Sequence, residues 1–168
     1  MIGETKIKQF LEENFGFFIR RIQTRMSIRH FNKLGNNLIG LEIGVDKGDN
    51  AKVLLRELSL KKLLLVDTNF KPEAETLIED KRTIFYYGDS DWVSKILKVK
   101  LDFAYIDGDH SYKQVKRDIE NYWKLLRRGG ILAGHDINQS EVFKAVSEFA
   151  VKNNLNVEVD WQDWVIKK

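Results

Sequence analysis

Apolar and polar positions along the chain fall into two regimes. Ahead of residue 35 apolar side chains return every four positions, as at Phe18, Ile22 and Met26, which predicts helix over 4–34 with a break near Gly16. After Gly35-Asn36-Asn37 short apolar runs alternate with helix-like stretches. The runs at 38–43, 62–66, 83–87, 101–106 and 131–133 read as strands, and 49–58, 73–80, 90–98, 111–127 and 140–153 as helices. In 111–127 the apolar face is Val115, Ile119, Tyr122 and Leu126, with Tyr122-Trp123 read as core. Arg127-Arg128 followed by Gly129-Gly130 reads as a basic last turn with a glycine stop. Residues 156–166 predict two short strands around Trp161-Gln162-Asp163, an antiparallel hairpin.

Near-continuous apolar strands separated by helices require a mostly parallel sheet covered on both faces. The expected fold is therefore α/β and doubly wound, closed by a C-terminal antiparallel hairpin and preceded by a helical extension. At 168 residues the chain suits one domain: 1–36 the extension and 37–168 the α/β core. A ligand in such a fold sits beyond the carboxyl ends of the strands, where strand order reverses.

Composition removes several chemistries. The chain has no cysteine, so disulfides, thiolate zinc sites and cysteine nucleophiles are excluded, and a cytoplasmic location is expected. No apolar run reaches the roughly 20 residues that span a bilayer, and MIGETKIKQF is too charged for a signal peptide. Arg21, Arg25, Arg29 and Lys33 recur every four residues, and no acid lies between Gly16 and Glu42. Such a stripe reads first as a solvated helix face; the alternative is an arm for RNA or another anion.

The first predicted strand runs into Glu42-Ile43-Gly44-Val45-Asp46-Lys47-Gly48. Gly44 and Gly48 permit a tight turn and close approach of backbone to ligand. A dinucleotide would need G-x-G-x-x-G, and Glu42 would repel a phosphate there. The acid suits a cation instead, and S-adenosylmethionine (SAM) carries an ammonium and a sulfonium. Asp67 closes the second strand, placed either to accept both ribose hydroxyls or to cap the next loop. Gly88-Asp89-Ser90 follows the third strand, where Asp89 either meets an adenine amino group or caps the following helix.

These residues, with Asp107-Gly108-Asp109-His110-Ser111-Tyr112, resemble the class I SAM-dependent methyltransferases. More narrowly they resemble the macrocin-type O-methyltransferases and the cephalosporin-hydroxylase-like proteins, in register over about 38–137. The resemblance implies a Rossmann-like methyltransferase fold, with Glu42 and Gly44 at the methionine end. It also implies that Asp67 lies on the ribose, that Asp89 and Ser90 lie near adenine, and that Asp107 serves cofactor and catalysis alike. Where the sugar enzymes have Glu-Asp after strand five, this chain has His135-Asp136.

Asp107, Asp109 and His110 follow the fourth strand, and His135 and Asp136 the fifth. Neighbouring strands would bring Asp107 and Asp136 to one divalent ion, Mg2+ or Mn2+, with His135 as third ligand or outer partner. Such an ion would acidify an acceptor hydroxyl, and His110 could take its proton. Asp109 reads better as a cap. The expected function is metal-assisted O-methylation of a small hydroxylated molecule. The alternatives are an RNA methyltransferase using the basic helix and a SAM-fold binding protein without catalysis. With about 35 residues ahead of the first strand, the pocket must be enclosed by the N-terminal helices or by a second copy of the chain.

Overall fold

A computed structural model describes residues 25–168. Its first element is helix α1 (Met26–Asn32), followed by β1 (Leu38–Ile43), α2 (Asp49–Glu57) and β2 (Leu60–Asp67). A short helix α3 (Pro72–Glu75) runs into a 3₁₀ turn (Thr76–Glu79) and then β3 (Thr83–Tyr87). There follow α4 (Ser90–Ile96), β4 (Leu101–Ile106), α5 (Tyr112–Leu125), β5 (Leu126–Gly134), α6 (Ser140–Asn153), β6 (Val157–Asp160) and β7 (Asp163–Lys167). The strands form one sheet ordered β3-β2-β1-β4-β5-β7-β6. The first five are parallel; β7 runs antiparallel to β5, and β6 to β7.

Side chains alternate across each strand, so the sheet feeds two cores. Leu41, Ile43, Ala104, Ile106 and Leu132 pack under α4, α5 and α6, with Val115, Ile119 and Tyr122 buried among them. Leu63, Leu65, Phe103 and Tyr105 take the other face, under Met26, Ile28 and Phe31 of α1 and Leu54 of α2. The Phe31 and Phe103 rings stack with centroids 4.1 Å apart. The predicted doubly wound sheet, closing hairpin and core face of α5 are all present.

Two predicted features differ. Arg127-Arg128-Gly129-Gly130 is not a helix end: α5 stops at Leu125, Leu126 is already extended, and all four residues lie in β5. The cause is pairing. Arg127 Nε donates to Asp102 at the start of β4, while Gly129 N donates to Lys168 O and Lys168 N to Gly130 O. Strand partners on both sides therefore take the chain out of the helix early.

The basic stripe is not one solvated face either. Arg25 turns inward to the Tyr105 hydroxyl, and Arg29 pairs with Asp160 of β6 at 2.7 Å. Lys33 is exposed, while Arg21, Phe18 and Ile22 lie outside the described residues. Among the described residues no helix is long and apolar enough to cross a membrane.

Candidate functional site

The loops that follow β1, β2, β4 and β5 meet at the switch in strand order between β1 and β4, the crevice where ligands of such sheets bind. The ladder continues into them. Gly44 N donates to Val66 O at 3.0 Å, Asp107 N to Ile43 O at 2.8 Å and His135 N to Ile106 O at 3.1 Å. Gly44 has φ 80, and a Cβ there would lie 2.1 Å from the Asp107 carbonyl oxygen. Only glycine lets the β1 and β4 loops touch at this point.

Asp67 shapes the glycine turn. Its Oδ2 accepts from Val45 N at 2.7 Å and Asp46 N at 3.0 Å, and its Oδ1 from Asn69 N at 2.8 Å. The loop-capping role foreseen as an alternative is thus present, and a carboxylate keeps lone pairs for further donors. Glu42 lies beneath the turn, 1% exposed; its Oε1 accepts from Asn50 Nδ2 at 3.2 Å and its Oε2 has no partner. Burial pushes its carboxyl up to about 8, against the Asn50 hydrogen bond. Its orphaned oxygen leaves an acceptor for a ligand's N–H under the glycine turn, and a bound cation would draw the carboxyl back to its charged form, so these residues fit SAM.

Asp89 caps α4, accepting from Trp92 N at 2.7 Å. Ser90 is buried, and its hydroxyl donates inward to Asp118 Oδ1 at 2.5 Å while accepting from Gln114 Nε2 at 3.0 Å. Asp118 is an acid that the sequence pattern did not single out. Burial raises its carboxyl to about 6, against the bonds from Ser90 and Gln114.

On the other side, Ile106 pairs with Gly134, so Asp107 and His135 emerge side by side. His110 Nε2 lies 2.9 Å from Asp136 Oδ2 and 3.8 Å from Asp107 Oδ1. His135 Nδ1 lies 3.3 Å from Asp136 Oδ2 and 3.8 Å from Asp107 Oδ1. One ligand atom each from Asp107, His110 and Asp136 falls within 4.8 Å of the others. The 2.9 Å approach is an ion-pair distance, but no aligned hydrogen bond accompanies it. His110 Nε2 thus stands beside two acids without a hydrogen-bond partner, where it serves either as a third ligand or as a base facing them, and a mixed N/O set would suit manganese, iron or zinc better than magnesium.

Burial holds Asp107 above its ordinary range, against the pull of His135 and Arg25. Asp136 adopts φ 56, a left-handed conformation that costs a non-glycine residue of order 1–3 kcal/mol and that clusters at functional sites. Asp109 serves as a local cap, its Oδ1 accepting from Ser111 N at 2.7 Å. Beside His110 a groove of about 340 Å³ opens between Asp109, Ser111, Gln139, Ser140 and Glu141. Glu141 Oε2 ties its two walls together by accepting from Tyr112 N at 2.7 Å.

Sequence reasoning missed a second polar chain. Arg25, Asn50, Tyr105 and Asp163 connect α1, α2, β4 and β7 directly under Glu42. Tyr105 and Asp163 sit in apolar strand patterns; only the opposing Glu42, at the same register as Tyr105, hinted at a polar layer.

Strand order 3-2-1-4-5-7-6, a glycine turn after β1 and an acid at the end of β2 define a class I SAM-dependent methyltransferase architecture. A family model described as "Methyltransferase domain" matches residues 41–137, and the chain belongs to that family. No curated protein sequence matches it.

Solved structures share the fold. A methyltransferase from Streptococcus mutans in complex with S-adenosylhomocysteine (SAH) aligns with a TM-score of 0.70 and 17% identity, covering 85% of this chain and 96% of that one. An rRNA methylase from Streptococcus thermophilus aligns at 0.66 with 14% identity, covering 86% and 96%. The MycE methyltransferase of the mycinamycin biosynthetic pathway, in complex with Mg and SAH, aligns at 0.62 with 16% identity, covering 83% of this chain and 47% of that one.

Proposed function

We propose that the chain transfers a methyl group from SAM to a hydroxyl of a small acceptor, with a divalent ion held at Asp107 and Asp136. The observation that carries this reading is the gathering of Asp107, His110 and Asp136 beside the groove, with His135 Nδ1 3.3 Å from Asp136. SAM, when bound, would supply an electrophilic methyl on a sulfonium, whose S–C bond breaks as the acceptor oxygen forms the new C–O bond and SAH leaves. A divalent ion supplies the charge that lowers the acceptor hydroxyl's pKa.

The protein's own residues do the rest. The Gly44–Gly48 turn and Asp67 hold the methyl donor, Glu42 favours its cationic end, and Asp89 and Ser90 bound the far end of the pocket. Exposure divides the histidines: His110, at 39%, lines the groove, and its unpaired Nε2, left off the ion, accepts the acceptor's proton, while His135, at 17% and 3.3 Å from Asp136, completes the ion's surroundings. The groove is lined by polar side chains, which suits a hydroxylated acceptor such as a sugar or a phenol.

The test is turnover on sugar and catechol acceptors with and without EDTA. His110→Ala is expected to lower turnover by roughly 10²–10⁴ and to leave SAH affinity within twofold. Asp107→Ala should weaken both manganese binding and turnover, and His135→Ala should weaken manganese binding first. Full activity in excess chelator removes the ion from the scheme. An active His110→Ala enzyme removes the base.

A further inference from the structure

The strand ends are rich in acids, Glu42, Asp67 and Asp107 among them, yet SAM also carries a carboxylate that needs a donor. Arg25 stands at the start of α1 and is half-buried among these acids. Its Nη1 donates to the Tyr105 hydroxyl at 2.6 Å and to Asn50 Oδ1 at 3.3 Å. The guanidinium carbon lies 5.8 Å from the centre of the Tyr105 ring. Both partners are held in turn: Tyr105 donates to Asp163 Oδ1 at 3.1 Å, and Asn50 Nδ2 to Glu42 Oε1 at 3.2 Å. Arg25 is therefore aimed by residues of β4 and α2, the two elements that border the glycine turn.

The fixing is incomplete in an informative way. Only Nη1 is used, and Nε and Nη2 have no acceptor among the described residues. A half-buried guanidinium with an unused edge is a fork for one more carboxylate. Its field reaches the right place: burial dominates the Glu42 and Asp107 carboxyls, but Arg25 lowers both.

We infer that Arg25 binds the methionine carboxylate of SAM, so that the N-terminal helix supplies a residue of the cofactor site. This rests on SAM occupying the strand ends, as proposed above. The acids of β1 and β4 then meet the ammonium and sulfonium, and Arg25 meets the one anionic group. Tyr105 is a positioning residue that aims Arg25.

The experiment is calorimetric titration of the full chain with SAH and with S-adenosyl-3-thiopropylamine, which keeps the nucleoside, thioether and ammonium but lacks the carboxylate. Wild type should bind SAH more tightly than the amine. Arg25→Ala should lose at least tenfold for SAH and stay within twofold for the amine. Arg25→Lys, which keeps the charge without the fork, should recover part of the loss. Tyr105→Phe should show a smaller loss, again confined to SAH. Equal losses for both ligands would make Arg25 a purely structural residue and overturn the assignment, as would no loss at all. A wild-type chain that binds neither ligand would overturn the SAM reading itself.

Discussion

Glu42 shows how one residue couples the site to the stability of its scaffold. Its carboxyl, ordinarily at 4.5, is raised to about 8 by burial against one amide hydrogen bond, with the nearby Asp107 raising it further. The folded state therefore keeps a proton that the unfolded chain releases. The sign follows: stability from this group is present below about 4.5 and is lost as pH rises toward about 8, by an amount of order several kcal/mol. Glu42→Gln removes the titration while preserving shape and the oxygen facing Asn50. The variant should melt above wild type at pH 8.5, and the gap should close toward pH 5. Equal melting temperatures at both pH values would show that Glu42 does not carry this proton. The same residue was readable in the sequence because an acid interrupts an apolar strand just before a glycine turn. Tyr105 and Asp163 were not, because a tyrosine in a buried strand and an acid beside a turn each have an ordinary explanation until register places them together.

Among the elements, the β6–β7 hairpin does more than close the sheet. Asp163 at its turn is 4% exposed and accepts from Ser27 Oγ at 2.7 Å and from Tyr105 at 3.1 Å. Arg29 and His30 of α1 reach Asp160 and Glu158 of β6 at 2.7 and 3.2 Å. These outer pairs are exposed and contribute little; the buried Asp163 fixes α1 in place. Asp163→Ala leaves two buried hydroxyls without their acceptor and should cost about 2–4 kcal/mol in urea unfolding of the full chain. A loss below ~1 kcal/mol would mean that apolar packing, such as Phe31 on Phe103, seats the helix alone. Periodicity located nearly every element, because parallel strands buried on both faces and amphipathic helices leave strong local patterns. It failed at the α5–β5 junction, where the outcome depended on Asp102 and Lys168, 25 positions from Arg127 and 39 from Gly129. No local pattern carries that information.

For the molecule as a whole, the net charge is only +3, and the crevice at the strand ends is lined by acids. Of the described members of the basic stripe, Arg25 is turned into the core of the site and Arg29 is paired across to β6. We predict that the chain retains no RNA in filter binding at 0.15 M salt. A salt-steep, sub-micromolar complex lost on charge reversal at Arg29 and Lys33 would point instead to a nucleic-acid acceptor. The contact between Gly44 and the Asp107 carbonyl has a wider consequence. It rivets the glycine turn after β1 to the loop of Asp107 and His110, leaving less space than one methyl group between them. Neither loop can lengthen, shift or accept a larger residue there without moving the other. On the proposed reading, variation in what is methylated would then arise at the rim, in 109–112 and 139–141, where side chains can be exchanged without disturbing that joint. A descendant of this chain could change its acceptor many times over and still hold its methyl donor in the same place.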